Sequence, residues 1–590
     1  MASAGAKAGL LRRFWQVFGQ RLGTRLSIAS NTMLSRVERA VDDADPAPAP
    51  APGACRVACF SPYATWDIVS AWEFTVLRAL ARRGCDTRLL LCDAVSPMCD
   101  LVWVDKSPPF DRCLVCQNRA TTAARVLRHP FEWISRYVDA ADRARATEWA
   151  ADLPDDGLRN ARYGDAALGE WCYGSMTSHF RGPRLDMADP RVRLVYRQYL
   201  AGAAIAYAGC RTWLESVRPD VLWLFNGRLS LTRVALEAAR GFGIRVICHE
   251  RGIVRNSLRL WENERCSQYQ GRRQVALANA GRPLTAAQAR EVVRWLGDRR
   301  EARNYNRPPF LRKRRPGAAE SRAAVGVSAG DRVLLALTSS DHEFGAEPDR
   351  NQVFAEQHEW LASILDWAGR NPACRVVIRF HPNASPASWA AFADRVPALR
   401  AAGDPTSVAR PAANVAVVPP GNPLDTYTLV DACHAVTTYG TTAGSEAAAT
   451  GKTVIVADHC LYHGLPWVQS AESPAHFLEL LDRLPWGAEP KGSPDIAAGG
   501  LRFVWDYHLG PSITTRLVHH PGIDYARTTY RADVPAQLDH GRDPGLDRIT
   551  DVVMGQRPVY DPRPMVDPAA ERAAVIAHLQ ASAARIRGLR

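Results

Sequence analysis

The stretch TTYGTTAGSEAAATGKTVIVAD, residues 437–458, sets a short alanine-rich segment between two apolar runs. The pattern predicts a strand over His434–Thr438, a helix over Thr442–Thr450 and a second strand over Lys452–Ala457. Gly451 stands where the end of the helix requires a residue tolerant of positive φ. A strand–helix–strand unit of this kind belongs to a parallel sheet, so the stretch predicts an α/β fold.

Three polar residues lie at the turn into this helix, and their chemistry suits a ligand. In a parallel sheet the unpaired N–H groups of the helix N-terminus point to the carboxyl edge, where the hydroxyls of Thr441 and Thr442 suit a phosphate and the carboxylate of Glu446 suits a ribose diol. The alternative is helix capping, which accounts for Thr442. A capping box needs Ser or Thr three residues before the glutamate, and position 443 is Ala. We therefore favour ligand binding for Glu446.

Length, composition and charge limit the class of protein. A chain of 590 residues is too long for one core, and a content of 47% hydrophobic and 23% charged residues is typical of globular proteins. No run of 18 apolar residues and no secretory signal is recognisable, so we expect a cytoplasmic protein whose 14 cysteines are reduced thiols. The formal net charge of +13 favours an anionic partner.

Alternating strand and helix patterns predict two doubly wound, Rossmann-like α/β domains. Residues 1–44 have apolar residues at helical spacing among cations. This basic amphipathic pattern is typical of a helix that lies on an anionic membrane surface, here the inner face of the cell membrane, and equally of a helix packed on the protein body. The remaining predicted segments are a Pro/Ala linker at 45–54, a first α/β domain at 55–315, a second at 330–484 and an extension at 485–590.

Two further motifs of the second domain follow predicted strands. In VVIRFHPN, Pro382 restricts the residue before it, which holds His381 at the carboxyl end of a strand, where a histidine can donate to a phosphate. In LTSSDHE, the hydroxyls of Ser339 and Ser340 follow the first strand of the domain. A strand-end turn with no ligand is the alternative for both motifs.

Together these motifs resemble one family. The order R-x-HP, then a loop and a helix, then T-T-x-G-x-E-A-A-x-x-G-K-x-V-I is similar to the nucleotide-binding half of GT-B glycosyltransferases, above all to bacterial capsule polysaccharide biosynthesis proteins of the Kdo and sialyl transferase type. The resemblance covers about 330–480, and the family usually has serine where this chain has threonine. It implies that the two domains face a cleft. It also implies that His381, Thr441 and Thr442 contact the nucleotide phosphate and that Glu446 contacts the nucleotide's sugar.

In the first domain, polar residues at strand ends are the candidates for the acceptor side. An inverting transfer needs a base that takes the proton of the acceptor hydroxyl. A guanidinium suits an anionic sugar because it pairs bidentately with a carboxylate. For each candidate base, the alternative role is a salt bridge or a helix cap. The candidate bases are Asp67, His249 and Glu250, and the candidate acceptor-binding residues are Asn226, Arg228 and Arg251.

Four cysteines lie close together in the sequence as C-x6-C-x13-C-x2-C: Cys92, Cys99, Cys113 and Cys116. Four thiolates make a closed structural zinc site, so the spacing raises the possibility of one zinc. Unligated cysteines are the alternative.

The resemblance implies a glycosyltransferase that moves a sugar from a nucleotide-sugar donor to a surface glycan or lipid-linked glycan. We expect no metal at the donor phosphates, since no Asp-x-Asp occurs in the second domain. A nucleotide-sugar 2-epimerase and a non-catalytic subunit of an envelope-polysaccharide assembly complex are the alternatives. Nucleic-acid binding is not expected, because the sequence contains no recognised nucleic-acid-binding motif.

Overall fold

The computed structural model describes residues 48–103, 109–180, 185–266, 268, 270–301, 303, 318–328, 330–339, 353–382, 384, 389–390, 393–394, 407–486, 492–519, 529–530 and 538–588. These residues form two compact units. Unit 1 holds the described parts of 48–180, 185–268 and 512–559, and unit 2 holds those of 270–511 and 560–588. The amphipathic helix predicted within 1–44 lies outside the described residues.

Unit 1 is built from strands that alternate with helices along the chain, as its sequence pattern predicts. Its strands before residue 268 are β1 (Arg56–Ser61), β2 (Asp86–Leu91), β3 (Phe131–Trp133), β4 (Val221–Phe225), β5 (Arg245–Arg251) and β6 (Ser257–Glu262). Its helices there are α1 (Asp67–Arg82), α2 (Pro109–Val126), α3 (Ala140–Asp152), α4 (Leu168–Phe180), α5 (Pro190–Val217) and α6 (Ser230–Gly241). The order β6-β5-β4-β1-β2-β3 is parallel except for the pair of β5 and β6.

Unit 2 contains the second sheet. Its helices are α7 (Gln270–Asn279), α8 (Ala286–Arg300), α9 (Ala318–Ala324), α10 (Gln357–Arg370), α11 (Thr426–Ala432), α12 (Ala443–Ala449), α13 (Pro474–Asp482) and α14 (Pro494–Val504). Its strands are β7 (Arg332–Leu337), β8 (Cys374–Arg379), β9 (Ala409–Ala412), β10 (Val415–Val418), β11 (Ala435–Thr438), β12 (Thr453–Val456) and β13 (Gln469–Ser470). The order is β13-β12-β11-β7-β8-β10-β9, antiparallel only between β9 and β10.

Both faces of this second sheet are buried, which is what its almost purely apolar strands predict. Along β7, Leu334 and Ala336 join one core cluster, while Val333, Leu335 and Leu337 join the cluster on the opposite face. Alternate side chains of a strand point to opposite faces, so each strand contributes to both cores.

The quoted stretch folds as β11, α12 and β12, within one or two residues of the predicted bounds. Gly451 has φ +79°, the left-handed conformation expected at the end of this helix. Its position also requires glycine because a Cβ atom there would lie 2.6 Å from Cα of Gly492.

The structure draws the boundaries inside the chain differently from the sequence prediction. Helices α7 and α8, predicted within the first domain at 55–315, belong to unit 2, where Arg273 of α7 donates to the carbonyl of His463 over 2.9 Å. The segment 485–590, predicted as one extension, is shared between the units. These boundaries depend on contacts between residues that are distant in sequence. A local sequence pattern does not predict such contacts.

The last hundred residues add elements to both units. They comprise α14, β14 (Ile513–Thr514), β15 (Val518–His519), β16 (Thr529–Tyr530), α15 (Pro544–Val553) and α16 (Pro568–Gly588). In unit 1, β14 pairs antiparallel with β6, and Asp547 of α15 forms a 2.5 Å ion pair with Arg83. In unit 2, Glu571 of α16 forms an ion pair with Arg502 of α14. Among the described residues, no helix combines the length and the apolar character that crossing a membrane requires.

Candidate functional site

Each sheet has a point where the direction of strand addition reverses. In unit 2 the chain passes from β7 to β8 and β10 on one side, then returns to β11 on the other side of β7. In unit 1 the same reversal occurs between β1 and β4. Open α/β sheets bind ligands in the crevice outside the carboxyl ends of the strands at such a point. In unit 2 that crevice lies beyond the ends of β7 and β11.

The turn after β11 is held by a residue that the sequence analysis did not single out. The hydroxyl of Thr438, fully buried at the end of β11, accepts from the backbone N–H groups of Gly440 and Thr441, each over 3.1 Å. The hydroxyl of Tyr462 donates to the carbonyl of Thr441 over 2.6 Å. Gly444 allows this approach, since a Cβ there would lie 2.4 Å from the oxygen of Tyr462.

Thr438 and Tyr462 hold the turn from its buried side. Thr441 and Thr442 themselves are half-buried at the sheet edge. Thr442 is the residue before α12, but its side chain makes no capping hydrogen bond. The capping alternative for Thr442 is therefore not what the structure shows.

The loops after β7 and β8 are tied together at the same edge. The backbone N–H of His381 donates to the hydroxyl of Thr338 over 2.8 Å, and Thr338 directly follows β7. Arg379, the arginine of the R-x-HP motif, is buried and donates to the carbonyls of Pro419 and Asn422. Burial lowers the pKa of Arg379 to about 10. This arginine therefore anchors the loop after β10.

His381 is half-buried at this edge, as predicted from the proline after it. The backbone N–H of Ser339 donates to the side-chain oxygen of Gln357 over 2.6 Å, and its hydroxyl is buried with no hydrogen-bond partner in the described part of the chain. Ser340 lies outside the described residues. The predicted donor-site residues thus follow three neighbouring strands: β11, β7 and β8.

Glu446 occupies an environment that the sequence analysis did not foresee. Its side chain is 3% exposed, and both of its carboxylate oxygens are bound within unit 2. Oε1 accepts from Nε of Arg299 over 2.7 Å, and Oε2 accepts from the hydroxyl of Tyr427 over 2.5 Å. Burial disfavours the charge of Arg299, but attraction to Glu446 and Tyr427 outweighs it and raises the pKa of the guanidinium. Glu446 is thus neither a cap nor an exposed carboxylate.

Arg299 is only partly buried. Its side chain is 35% exposed and lies over the ring of Trp295, with 5.4 Å from Cζ to the ring centroid. Next to it, Arg300 forms an ion pair with the buried carboxylate of Asp431. The two arginines attach the end of α8 to α11 and α12.

Lys452, whose motif position had no assigned role, is also buried here. Its ammonium donates to the carbonyl of Cys433 over 2.7 Å and to that of Asp431 over 3.4 Å. These carbonyls lie at the end of α11, so Lys452 serves as a C-terminal cap of that helix.

In unit 1, Asn226 and Glu250 are joined at the ends of β4 and β5. The amide of Asn226 donates to Oε2 of Glu250 over 2.6 Å, and its own oxygen accepts from the N–H of Arg228 over 2.8 Å. Asn226 has φ +61°, a conformation that asparagine tolerates better than most residues. Glu250 also accepts from the N–H of Arg251 over 2.9 Å. Asn226 therefore shapes this edge, and Glu250 remains half-buried at it.

His249, predicted as a candidate base, faces inward. It is 1% exposed, its ring stacks on Trp223 at 4.4 Å between centroids, and its Nε2 lies 3.7 Å from Oε1 of the buried Glu73. Glu73 in turn accepts from the hydroxyl of Ser61 over 2.5 Å. An imidazole enclosed in this way offers no surface to an acceptor hydroxyl, so the structure corrects the prediction for His249.

The other predicted residues of unit 1 lie near the same edge. Arg228 is half-buried and donates to the hydroxyl of Ser178 over 3.3 Å, and Arg251 is half-buried at the end of β5. Asp67 is the first residue of α1, the helix that follows β1, and only its backbone is described. Asp67 and Glu250 remain the candidate bases.

The four clustered cysteines line one cavity of about 40 Å³ instead of surrounding a metal. Burial raises the pKa of Cys92 to about 12 and also raises the pKa values of Cys99, Cys113 and Cys116. In the described part of the chain, no group of three or more His, Cys, Asp or Glu residues is arranged to hold a metal ion. The zinc site therefore stays a prediction from the sequence, and this arrangement does not support it.

Sequence reasoning missed Thr338, Thr438, Arg299 and Glu73. The two threonines had a usable signal, because each directly ends or follows a predicted strand. Arg299 had none, since it stands 147 residues before its partner.

No protein-family model matches this chain, and no curated protein matches it in sequence. Among solved structures, a β-Kdo 2,4-transferase, KpsC of Thermosulfurimonas dismutans, is similar at 14% identity and a TM-score of 0.32, over 54% of this chain and 87% of that one. The UDP-GlcNAc 2-epimerase of Neisseria meningitidis, solved with UDP-GlcNAc, is similar at 11% identity and a TM-score of 0.24, over 76% and 98%.

The glycosyltransferase SnogD of Streptomyces nogalater is similar at 12% identity and a TM-score of 0.23, over 77% of this chain and 95% of that one. Similarities at this level do not assign the chain to a family. The two mainly parallel, doubly wound sheets are established by the strand order and pairing themselves.

Proposed function

We propose that this chain is a glycosyltransferase that transfers a sugar from a nucleotide-sugar donor to a glycan or lipid-linked glycan acceptor. The observation that carries the proposal is the polar edge at the reversal point of unit 2. There, the turn after β11 and the loops after β7 and β8, which are held by hydrogen bonds to Thr438 and Thr338, bring the hydroxyls of Thr441 and Thr442 and the imidazole of His381 to neighbouring strand ends. Such groups suit a diphosphate or monophosphate ester.

In this proposal His381 donates to the phosphate as charge develops on the leaving nucleotide, and Thr441 and Thr442 bind the same phosphate. Arg299, held by Glu446, supplies positive charge on the side of α12. No step in this scheme requires a metal, so a chelator such as EDTA should leave the transfer rate unchanged. Asp67 and Glu250 are the proposed bases for the acceptor hydroxyl.

A donor panel tests the proposal. The full chain is incubated with CMP-, UDP-, GDP- and CDP-sugars, and the melting temperature and the release of nucleotide are measured. We expect one nucleotide class to raise the melting temperature and to be released faster when a glycan acceptor is added. Conversion of a nucleotide-sugar into its C2 epimer without an acceptor, followed by NMR, would instead identify an epimerase. Binding of no nucleotide-sugar would contradict both functions.

Variants of the edge separate binding from turnover. His381→Ala should lower kcat more than it weakens donor binding, because the proposed contact strengthens as the bond to the leaving phosphate breaks. Thr442→Val should weaken donor binding mildly with little change in stability, since its hydroxyl makes no capping bond. Equal donor binding and turnover in both variants and the native chain would contradict the assignment of this edge.

A further inference from the structure

The starts of β1 and β2 bring two cysteines side by side. Arg56 and Asp86 are Cα partners in the parallel ladder, so the residues just before them, Cys55 and Cys85, are the next pair in register. The backbone confirms the pairing, because the N–H of Asp86 donates to the carbonyl of Cys55 over 3.0 Å. Both cysteines are free thiols in this structure.

The spacing of this pair suits a disulfide. Neighbouring strands lie about 4.8 Å apart, and disulfides join Cα atoms roughly 4.4–6.8 Å apart. Cys85 is placed by the end of α1, where Gly84 takes φ +85° and the N–H of Cys85 donates to the carbonyl of Leu80 over 3.1 Å.

The two thiols are also unequal, as an attacking and a resolving cysteine must be. Cys55 is half-buried, whereas Cys85 is 4% exposed. The neighbouring thiol of Cys85 is the main cause that lowers the pKa of the Cys55 thiol, with Arg245 adding to it, while burial and Asp220 oppose the shift. Elsewhere in unit 1, burial raises the pKa values of thiols such as Cys59, Cys172 and Cys248. Thiols with a lowered pKa, solvent access and a neighbouring thiol are the ones that oxidants reach first.

We propose that Cys55 and Cys85 form a reversible thiol–disulfide site that reacts with low-molecular-weight disulfides such as glutathione disulfide. The thiolate of Cys55 attacks one sulfur of glutathione disulfide and expels one glutathione thiolate, which leaves a mixed disulfide on Cys55. The thiol of Cys85 then loses its proton and attacks the sulfur of Cys55, and the second glutathione leaves. Two protein thiols and one glutathione disulfide thus become one protein disulfide and two molecules of glutathione.

The bridge would close the loop formed by β1, α1 and β2. Because it constrains the unfolded chain, a disulfide that fits the native geometry stabilises the fold. The bridge lies at the amino-terminal edge of the unit 1 sheet, whereas Asn226 and Glu250 lie at the carboxyl ends of β4 and β5. The proposal is therefore independent of the glycosyltransferase function.

The test uses the full native chain equilibrated in buffers of increasing glutathione disulfide to glutathione ratio. Remaining thiols are blocked with iodoacetamide, and peptides are mapped by mass spectrometry without reduction. We expect a Cys55–Cys85 peptide that reverts on addition of reduced glutathione, together with a melting temperature several degrees above that of the reduced chain. Oxidised buffer that leaves both thiols free would overturn the proposal, as would stable glutathione on Cys55 or a bridge from Cys55 to another cysteine.

Two variants and a control sharpen the result. Cys55→Ser should abolish both the bridge and the shift in melting temperature, whereas Cys85→Ser should stop the reaction at the mixed disulfide on Cys55. Cys85 is buried, so the Cys85→Ser variant could fail to fold. Cys55 is half-buried and its replacement should be tolerated, so the Cys55→Ser variant alone then tests the proposal. Cys266→Ser, at another half-buried cysteine, should leave the reaction unchanged. A melting shift that persists in Cys55→Ser would also overturn the proposal.

Discussion

At the scale of single residues, the partly buried pair of Glu446 and Arg299 determines how the proposed donor edge, the polar strand ends of unit 2, must be tested. Both carboxylate oxygens of Glu446 are bound by Arg299 and Tyr427, so in the proposed function Glu446 acts on the donor through these partners. Removing one member of a buried ion pair leaves the other charge without compensation, which costs more than the pair itself contributes. A loss of donor affinity in a Glu446 variant therefore needs a stability measurement beside it.

We predict that Glu446→Gln lowers the free energy of unfolding by about 1–3 kcal/mol, less than the cost in a dry interior because Arg299 is 35% exposed. Donor affinity should fall as well. In the double variant Glu446→Gln/Arg299→Met most of the stability should return, since no charge is left unpaired, while donor affinity should stay low. Urea unfolding and nucleotide-sugar titration provide the two measurements. Glu479→Gln, in an exposed pair with Arg483, is the control and should change neither quantity. Full donor affinity in the double variant would show that the pair is only structural.

Two adjacent threonines of β11 offer a second test at this scale. Both are fully buried, but the hydroxyl of Thr438 accepts two backbone N–H groups, whereas that of Thr437 has no partner among the described residues. Thr438→Val should cost about 1–3 kcal/mol for each N–H left unsatisfied, and it should weaken donor binding by loosening the turn. Thr437→Val removes a buried polar group without a partner, so we expect neutral or slightly raised stability. Equal effects of the two variants on melting temperature would contradict the assigned role of Thr438.

At the scale of elements, the packing of α1 against its neighbours explains both an unexpected stabilising contact and a pH dependence. His129 follows α2, is 5% exposed, and its Nε2 donates to the carbonyl of Phe74 within α1 over 3.0 Å. Burial lowers the pKa of His129 to about 4. The folded chain thus holds this imidazole neutral where an unfolded chain would protonate it.

We predict that His129 makes stability fall as the pH drops from about 6.5 toward 4. In that window the unfolded state binds the proton and the folded state does not, so unfolding becomes easier as the pH is lowered. A pKa shift of this size lowers the free energy of unfolding by about 3 kcal/mol once the pH is below both pKa values. His129→Gln should flatten the part of the pH profile that belongs to this residue, measured as melting temperature between pH 5 and 7.5. His540→Gln, at an exposed position, should leave the profile as in the native chain. A native pH slope in His129→Gln would contradict the prediction.

At the scale of the whole molecule, the sequence predicts what is local and misses what is distant. Strands such as β7 and β11 are predictable because apolar runs are bounded by turn residues, and the donor-edge hydroxyls follow directly from the ends of those strands. The pairing of β14 with β6 and the ion pair of Glu446 with Arg299 join segments far apart in the chain. No periodicity encodes such a contact, so the division of 485–590 between the units and the burial of Glu446 could not be predicted.

The predicted amphipathic helix within 1–44 remains a prediction about the whole chain, which carries a net charge of +13. Residues 1–36 contain six cations and no acid, and each cation near an anionic surface contributes about 1 kcal/mol to membrane binding. We expect the full chain to float with vesicles that contain phosphatidylglycerol and to bind pure phosphatidylcholine vesicles poorly. Because salt screens these charges, 0.5 M NaCl should release most of the protein. A chain shortened to 45–590 should not float, although it keeps the other cations. Equal flotation of the two chains would assign the membrane affinity to another surface, and flotation of neither would favour a helix packed on the body of the protein.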